Sequence, residues 1–518
     1  MKKDTPPSPG SNPSLLRRLS NLVSPGQQAP AFQPRTRGAP EPTSTSSAAP
    51  FKDDGTVKAL WLDCDPGHDD AIALLMAVHH PGLELLGVST VAGNAGGRDT
   101  FLNAVRLMAL YRSDPSIPVI RGSDCPLVKE VKIDVGIHGQ GGLGGVQGLP
   151  SLSSPLCQPW LHPAHPKTSS PTTGPEPSLF LYTLSTIITE RLNTGKPPIH
   201  LAVTGPMTNV ALFIRCYPHL VKGIEQIVLM GGAAGVRGNR GPLAEFNILN
   251  DPEAAAICFN TDIKVVMAGL NVTHQAIFTA ELHDRLLSGK PHEPQPSSQA
   301  GPSDLKRMLS STLTFFAKTY ASEFGFTRGP PVHDMLAIAY IIDPTLFYRR
   351  VPSPGDAPNA GMFDADPHSN KDAHVPKSRS GQGINSLGLD NVDARGSDDA
   401  DPAVVGTAPK RYRVEVECSD GLACGATVVD FWGDRVEHEG WGKGGKNVEV
   451  LENLDCPRMW DIFFEVVERA EANLASSAQV REPLGAGHDG IDGRSGPSSP
   501  TRAFASSRRD TDPSTDAT

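Results

Sequence analysis

The stretch Lys58-Ala-Leu-Trp-Leu-Asp63-Cys-Asp65-Pro-Gly67-His-Asp69-Asp70-Ala71 decides how the rest of the chain is read. Its apolar run predicts a buried strand, Pro66 and Gly67 break it, and helical patterning resumes from Ala71 to Val78. Asp63, Asp65, Asp69 and Asp70 therefore crowd the strand's C-terminal end and the first turn of the next helix. Open α/β sheets bind their ligands at that edge. Acids in a first helical turn suit the helix dipole, so an acidic helix cap is the plain reading of such a cluster. So many at one strand tip also repel one another, and a hard cation held among oxygen ligands relieves that repulsion. An EF-hand loop fails, because counting from Asp63 puts Gly67 fifth and Leu74 twelfth. A phosphatase with a nucleophilic Asp at an Asp-x-Asp strand end survives on this stretch alone.

Composition narrows the folded part of the 518 residues. The chain carries 48 Pro and 51 Gly with 6% aromatic residues. Residues 1–56 and 475–518 are rich in small and polar residues without a sustained period, and are expected to be disordered tails. The expectation is a single α/β domain over 57–474: an open, mostly parallel Rossmann-like sheet flanked by helices, with flexible insertions at 147–177, 288–303 and 353–409. A net charge of −10 argues against nucleic acid as partner, and no apolar run approaches a membrane span. The N-terminus lacks the apolar core of a secretion signal, and the 8 Cys show no paired metal spacing. A cytoplasmic location follows as the expectation. The short basic segment Leu15–Val23 leaves mitochondrial targeting open, and Arg17-Arg18-Leu19-Ser20 reads as a kinase site.

Further strand tips repeat the pattern. Leu85–Ala92 predicts a second strand ending in Gly93-Asn94, joined to the first through a helix as a βαβ unit. Asn94 is a turn former on its own terms; beside the first strand it also faces a pocket. A helix over 100–111 and a strand at Pro118–Arg121 follow. The glycine-dense loop Gly136–Gly145 matches neither a P-loop nor a dinucleotide fingerprint. A lid with His138 as its contact residue and a plain exposed linker both fit it. Ile199–Val203 ends in Thr204-Gly-Pro, where Thr204 offers a backbone carbonyl, and Gln226–Met230 ends in two glycines.

The next loop carries Asn239, Glu245, Phe246 and Asn247, of which Glu245 and Asn247 precede a helix and can face the pocket. Asp251 and Glu253 read as a helix start. A helix over Leu305–Phe324 puts Phe316 and Tyr320 on one face, a spacing that also suits plain core packing. Val332-His333-Asp334 opens another helix with an imidazole and a carboxylate. Phe347–Val351 and Tyr412–Cys418 are expected to join as neighbouring strands, and a closing helix spans about 457–474.

Taken together, Asp65-Pro-Gly-His-Asp69-Asp70-Ala, Val-Ala-Gly-Asn94, Ile137-His138-Gly, Thr204-Gly-Pro-Met-Thr-Asn, Met230-Gly-Gly, Ala244-Glu-Phe-Asn247 with Asp251-Pro-Glu-Ala, and Val332-His333-Asp334 resemble the inosine–uridine-preferring nucleoside hydrolases. The likeness runs in order over about 57–350 and resumes weakly at 411–474. It implies an enzyme that cleaves the N-glycosidic bond of ribonucleosides with water, using Ca²⁺, in nucleoside salvage. It implies that Asp65, Asp70, Asp334 and the carbonyl of Thr204 hold the metal, with Asp65 also the general base. Asp69, Asn94, Asn239, Glu245 and Asn247 would grip the ribose. His333, Tyr320, Phe246 and His138 would surround the substrate, His333 serving the departing base. Phe316 departs from the Tyr often found there. A homodimer or homotetramer is likewise implied by resemblance only. The residues agree with this chemistry independently, since carboxylates around a ribose stabilise an oxocarbenium-like state. A hydrolase of another riboside, such as nicotinamide riboside, and a catalytically silent ribose-binding module are the competing readings.

Overall fold

The computed structural model describes residues 56–162, 177–289, 301–350 and 406–479. The expected tails up to residue 55 and from 480, with the Leu15–Val23 segment and Ser20, lie outside these residues. So do 163–176, 290–300 and 351–405, which make up most of the expected insertions.

In chain order the strands are β1 (Lys58–Cys64), β2 (Leu83–Thr90), β3 (Val119–Arg121), β4 (Ile199–Val203), β5 (Ile224–Met230), β6 (Lys264–Ala268), β7 (Phe347–Arg350), β8 (Gly406–Thr407), β9 (Lys410–Val416), β10 (Thr427–Asp430), β11 (Val448–Val450) and β12 (Asn453–Leu454). The helices are α1 (His68–His79), α2 (Gly97–Leu110), α3 (Val135–His138), α4 (Gln158–Leu161), α5 (Pro177–Asn193), α6 (Thr208–Cys216), α7 (Phe246–Asn250), α8 (Pro252–Phe259), α9 (Leu270–Thr273), α10 (Ala280–Ser288), α11 (Asp304–Phe324), α12 (Met335–Ile342) and α13 (Cys456–Gln479).

The main sheet runs β10-β9-β11-β6-β5-β4-β1-β2-β3. From β11 to β3 every neighbouring pair is parallel, and β9 and β10 close one edge antiparallel. β1 shows why its sequence is an almost unbroken apolar run. Leu60, Leu62 and Cys64 face one helical layer, with α1, α2, α12 and α13, while Ala59 and Trp61 face the other, with α5, α6 and α8. Both faces must be apolar where both are covered. Each such large side chain, fully buried, contributes about 1.5–3 kcal/mol.

The chain leaves β1 for β2 and β3 on one side, then returns to β4, β5 and β6 on the other. The chain therefore reverses direction across the sheet between β1 and β4, the place where open α/β sheets carry a ligand crevice. Asp65 follows one of these strands and Thr204 the other.

Four expectations change. α1 begins at His68, three residues before the patterning that starts at Ala71, while Asp69 and Asp70 lie in its first turn as expected. β7 does not pair with β9; it forms a small sheet in the order β12-β7-β8, and β9 enters the main sheet because Tyr412 and Val414 are buried in its core. The stretch 149–161, read as surface loop, packs instead: Cys157 and Trp160 are buried and the Trp160 indole donates to the carbonyl of Ile117 at 2.9 Å. At the far end α13 continues to Gln479, past the expected boundary. No described helix is long and apolar enough to cross a membrane.

Candidate active site

Four buried carboxylates meet in the crevice. Asp65 accepts the amide of Asn94 on Oδ2 at 2.8 Å, while its Oδ1 is buried without a hydrogen-bond partner. Asp70 is the most heavily tied. Its Oδ2 takes the Gly67 amide at 2.8 Å and Asn94 Nδ2 at 3.0 Å, and its Oδ1 takes the Thr204 hydroxyl at 2.7 Å. Asp334, at the start of α12, brings a carboxylate oxygen to within 4.8 Å of oxygens from both Asp69 and Asp70. Burial, and after it the charge of Asp70, raises Asp65 well above the usual carboxylate range and pushes Asp69 to about 8. Burial, then Asp69 and Asp70, does the same to Asp334.

Such a set stays ionised together only around a positive charge. The orphaned Oδ1 of Asp65 and a donor set made only of oxygen fit a hard divalent cation rather than a thiolate- or imidazole-seeking one. Asp63 stands apart. It accepts from Ser89 Oγ and, at 2.8 Å, from Asn209 Nδ2, which ties β1 to β2 and α6.

A polar wall faces the carboxylates. Asn247 Nδ2 donates to the Thr204 carbonyl at 2.9 Å and to that of Met230 at 3.1 Å, so it fixes the tips of β4 and β5. Glu245 caps α7, accepting from the amides of Asn247 and Ile248 at 2.9 and 3.1 Å and from Gly232 at 3.0 Å. Burial raises its carboxyl to about 6 against the pull of those donors. Asn239 Oδ1 holds the amide of Phe246 at 2.9 Å.

The opposite end is aromatic. The Tyr320 hydroxyl and His333 Nε2 are 2.7 Å apart, and Phe316 meets Tyr320 edge-on at 4.7 Å between centroids. Burial holds His333 well below the usual imidazole value, so it is neutral at physiological pH. His138 is buried in α3, which removes the exposed-linker alternative for its loop. His68 Nδ1 lies 3.3 Å from His138 Nδ1, and the His68 ring stacks on Phe315 at 4.8 Å. Between the walls is a pocket lined by every substrate-side residue expected from sequence together with Thr204 and Asp334, while Asp65 and Asp70 are hydrogen-bonded to Asn94.

The sequence profile of the inosine-uridine preferring nucleoside hydrolases matches residues 60–461. The chain belongs to this family. It is 40% identical over 292 residues to the pyrimidine-specific ribonucleoside hydrolase RihA of Shewanella sp. (strain MR-7), covering 56% of this chain and 79% of that protein. With RihA of Salmonella paratyphi A (strain ATCC 9150 / SARB42) it is 38% identical over 290 residues, 56% and 80% of the two chains. Among solved structures, a purine-preferring ribonucleoside hydrolase from Gardnerella vaginalis shares the fold at TM-score 0.55 and 22% identity, covering 80% of this chain and all of that one. The plant nucleoside hydrolase PpNRh1 does so at 0.54 and 24%, covering 79% and 99%. This nucleoside hydrolase is accordingly an N-glycosidase acting on ribonucleosides.

Some residues of the nucleoside hydrolase pocket escaped sequence reasoning. Asp134 and Arg240 also line it, as do Ile137 and Met230, which the quoted motifs contain without a role. Thr273 reaches His333 Nδ1 with its hydroxyl at 2.7 Å. His68 sits inside the first motif, where it was quoted and given no role.

Proposed function

We propose that this nucleoside hydrolase removes the base from pyrimidine ribonucleosides, uridine among them, with Ca²⁺ bound by Asp65, Asp70, Asp334 and the carbonyl of Thr204. The observation that carries the reading is the unpartnered Oδ1 of Asp65, buried beside three further carboxylates at the switch point. When bound, the cation would supply Lewis-acid chemistry, lowering the pKa of a water. Asp65 takes the proton of the attacking water as the C1′–O bond forms. Asp69, Asn94, Asn239, Glu245 and Asn247 hold the ribose hydroxyls, and their carboxylates stabilise the positive charge that develops on the sugar. The C1′–N bond breaks as the base accepts a proton from the Tyr320 hydroxyl; neutral His333 relays a replacement to the phenolate, its Nε2 giving up a proton as its Nδ1 takes one, and the proton that Asp65 took from water balances the one carried off on the base.

The preference for pyrimidines rests on the RihA relatives, which are named as pyrimidine-specific. Free base and ribose are salvage products. All eight cysteines are free, which suits the reducing cytoplasm. A dimer or tetramer stays part of the proposal and is read by light scattering. The deciding experiment follows ribose release from uridine, cytidine, inosine and nicotinamide riboside with Ca²⁺ present. The first two should be turned over fastest. Activity confined to inosine or to nicotinamide riboside would reassign the base pocket.

A further inference from the structure

Asp134 and Arg240, 106 residues apart, meet at the mouth of the pocket. Asp134 caps α3, its Oδ1 accepting the Ile137 amide at 3.3 Å, and α3 carries Ile137 and His138 into the pocket wall. Its other oxygen, Oδ2, accepts Arg240 Nε at 3.0 Å and also Nη2. The remaining arm of the guanidinium, Nη1, donates to the Asn239 carbonyl at 2.9 Å, and the Asn239 side chain in turn holds the Phe246 amide. Arg240 lies over the Phe324 ring at 5.2 Å, and that ring is 5.1 Å from Tyr320. One side chain, rooted in the loop leading into α7, thus joins that loop to two separately built segments: the loop leading into α3 and the end of α11.

We propose that Asp134 and Arg240 form a clasp that assembles the substrate-binding wall, as positioning residues for ribonucleoside recognition; this rests on the ribonucleoside reading of the pocket. The pair is half-buried, with side chains 11% and 26% exposed, so it is shielded more than a surface ion pair while still reachable by solvent. Planar geometry matters: the guanidinium sets two N–H groups on one carboxylate and a third on a carbonyl from a rigid fork, whereas an ammonium is a compact point charge on a flexible stem. Asp65, Asp70 and Asp334 hang on β1, α1 and α12, which the clasp does not touch. Losing the clasp should therefore weaken the hold on substrate more than it slows bond cleavage.

The test uses the full chain with Ca²⁺ and uridine, comparing Arg240→Ala, Arg240→Lys, Asp134→Asn and the Asp134→Asn/Arg240→Ala pair. Arg240→Ala and Asp134→Asn should each raise KM about tenfold, with kcat held within about threefold. Because both break one contact, the double variant should be no worse than the worse single one. Arg240→Lys should recover part of the KM and, if Arg240→Ala does not fold, replaces it in the cycle. Amide exchange at Ile137 and Phe246 should quicken in every clasp variant. Additive losses, a fall in kcat at unchanged KM, or unaltered exchange would each overturn the clasp. Should the wild type cleave no riboside, the functional reading fails by itself, and exchange at those two amides still judges the clasp.

Discussion

The Tyr320 hydroxyl lies 2.7 Å from Nε2 of His333, whose Nδ1 is 2.7 Å from the Thr273 hydroxyl. Both ring nitrogens are thus occupied, and His333 reaches a leaving group through Tyr320 rather than directly. Burial keeps the phenol protonated, raising it well above its ordinary value. Tyr320→Phe and His333→Ala should therefore lose similar amounts on uridine, about 10²–10⁴-fold, the usual worth of general acid catalysis. On 4-nitrophenyl riboside, whose phenolate departs unaided, both should lose far less. Equal losses on the two substrates would remove the proton-donor role and leave the pair as sugar-positioning groups.

Stripping the cation should abolish turnover and lower the melting temperature, because an ion bound only by the folded chain stabilises it. At a hundredfold excess over Kd that is about 2.7 kcal/mol. Re-addition of Ca²⁺ should restore both. Protein verified as metal-free by elemental analysis and still fully active would end the metal proposal.

Gly93 tests the placement of Asp65. A Cβ built there falls 2.0 Å from Asp65 Oδ2 and 3.0 Å from Pro206 Cδ. Gly93→Ala should push the carboxylate aside and cost about 10²-fold in kcat, the scale of a 1 Å misplacement. Gly96→Ala, with nothing within 4 Å of its new methyl, is the matched control. Comparable activity in the two proteins would show that Asp65 tolerates displacement.

His79 gives stability a pH dependence of known sign. Burial lowers its pKa from 6.5 to about 4, so the folded chain holds it neutral. The unfolded chain takes up more protons between these values, and stability present above pH 6.5 is lost as pH falls toward 4. Linkage puts the loss at about 2 kcal/mol by pH 5. Denaturant titrations of wild type and His79→Gln should differ less at pH 5 than at pH 7 by that amount. A pH-independent difference would mean the imidazole is not held neutral.

How far the sequence could be read depended on how local the signal was. Asp65, Thr204 and Asn94 were legible because each lies where an apolar run meets a turn residue, and a parallel sheet gathers such ends at one edge; Asn247 was legible because it sits at a helix start beside them. β7 was misplaced because a four-residue strand carries no register, and its partners lie beyond residue 405 and at 453–454. Cys157 and Trp160 were hidden by the Pro- and Ser-rich residues around them. Asp134 and Arg240 share no period or motif. Only the folded geometry joins them.

The hydrogen bond between Asn473 and His79 spans 394 residues. It ties α13 to α1, the helix that carries Asp69 and Asp70, and β11, which extends the parallel sheet beyond β6, also comes from beyond residue 405. During synthesis every residue assigned to the site emerges before β11 and α13, which extend the sheet and cover α1. Such long-range closure slows folding and prolongs exposure of α1's apolar face. A ribosome stalled after Asp334 would hold all the catalytic parts and no finished enzyme, and chaperone demand should peak over that interval.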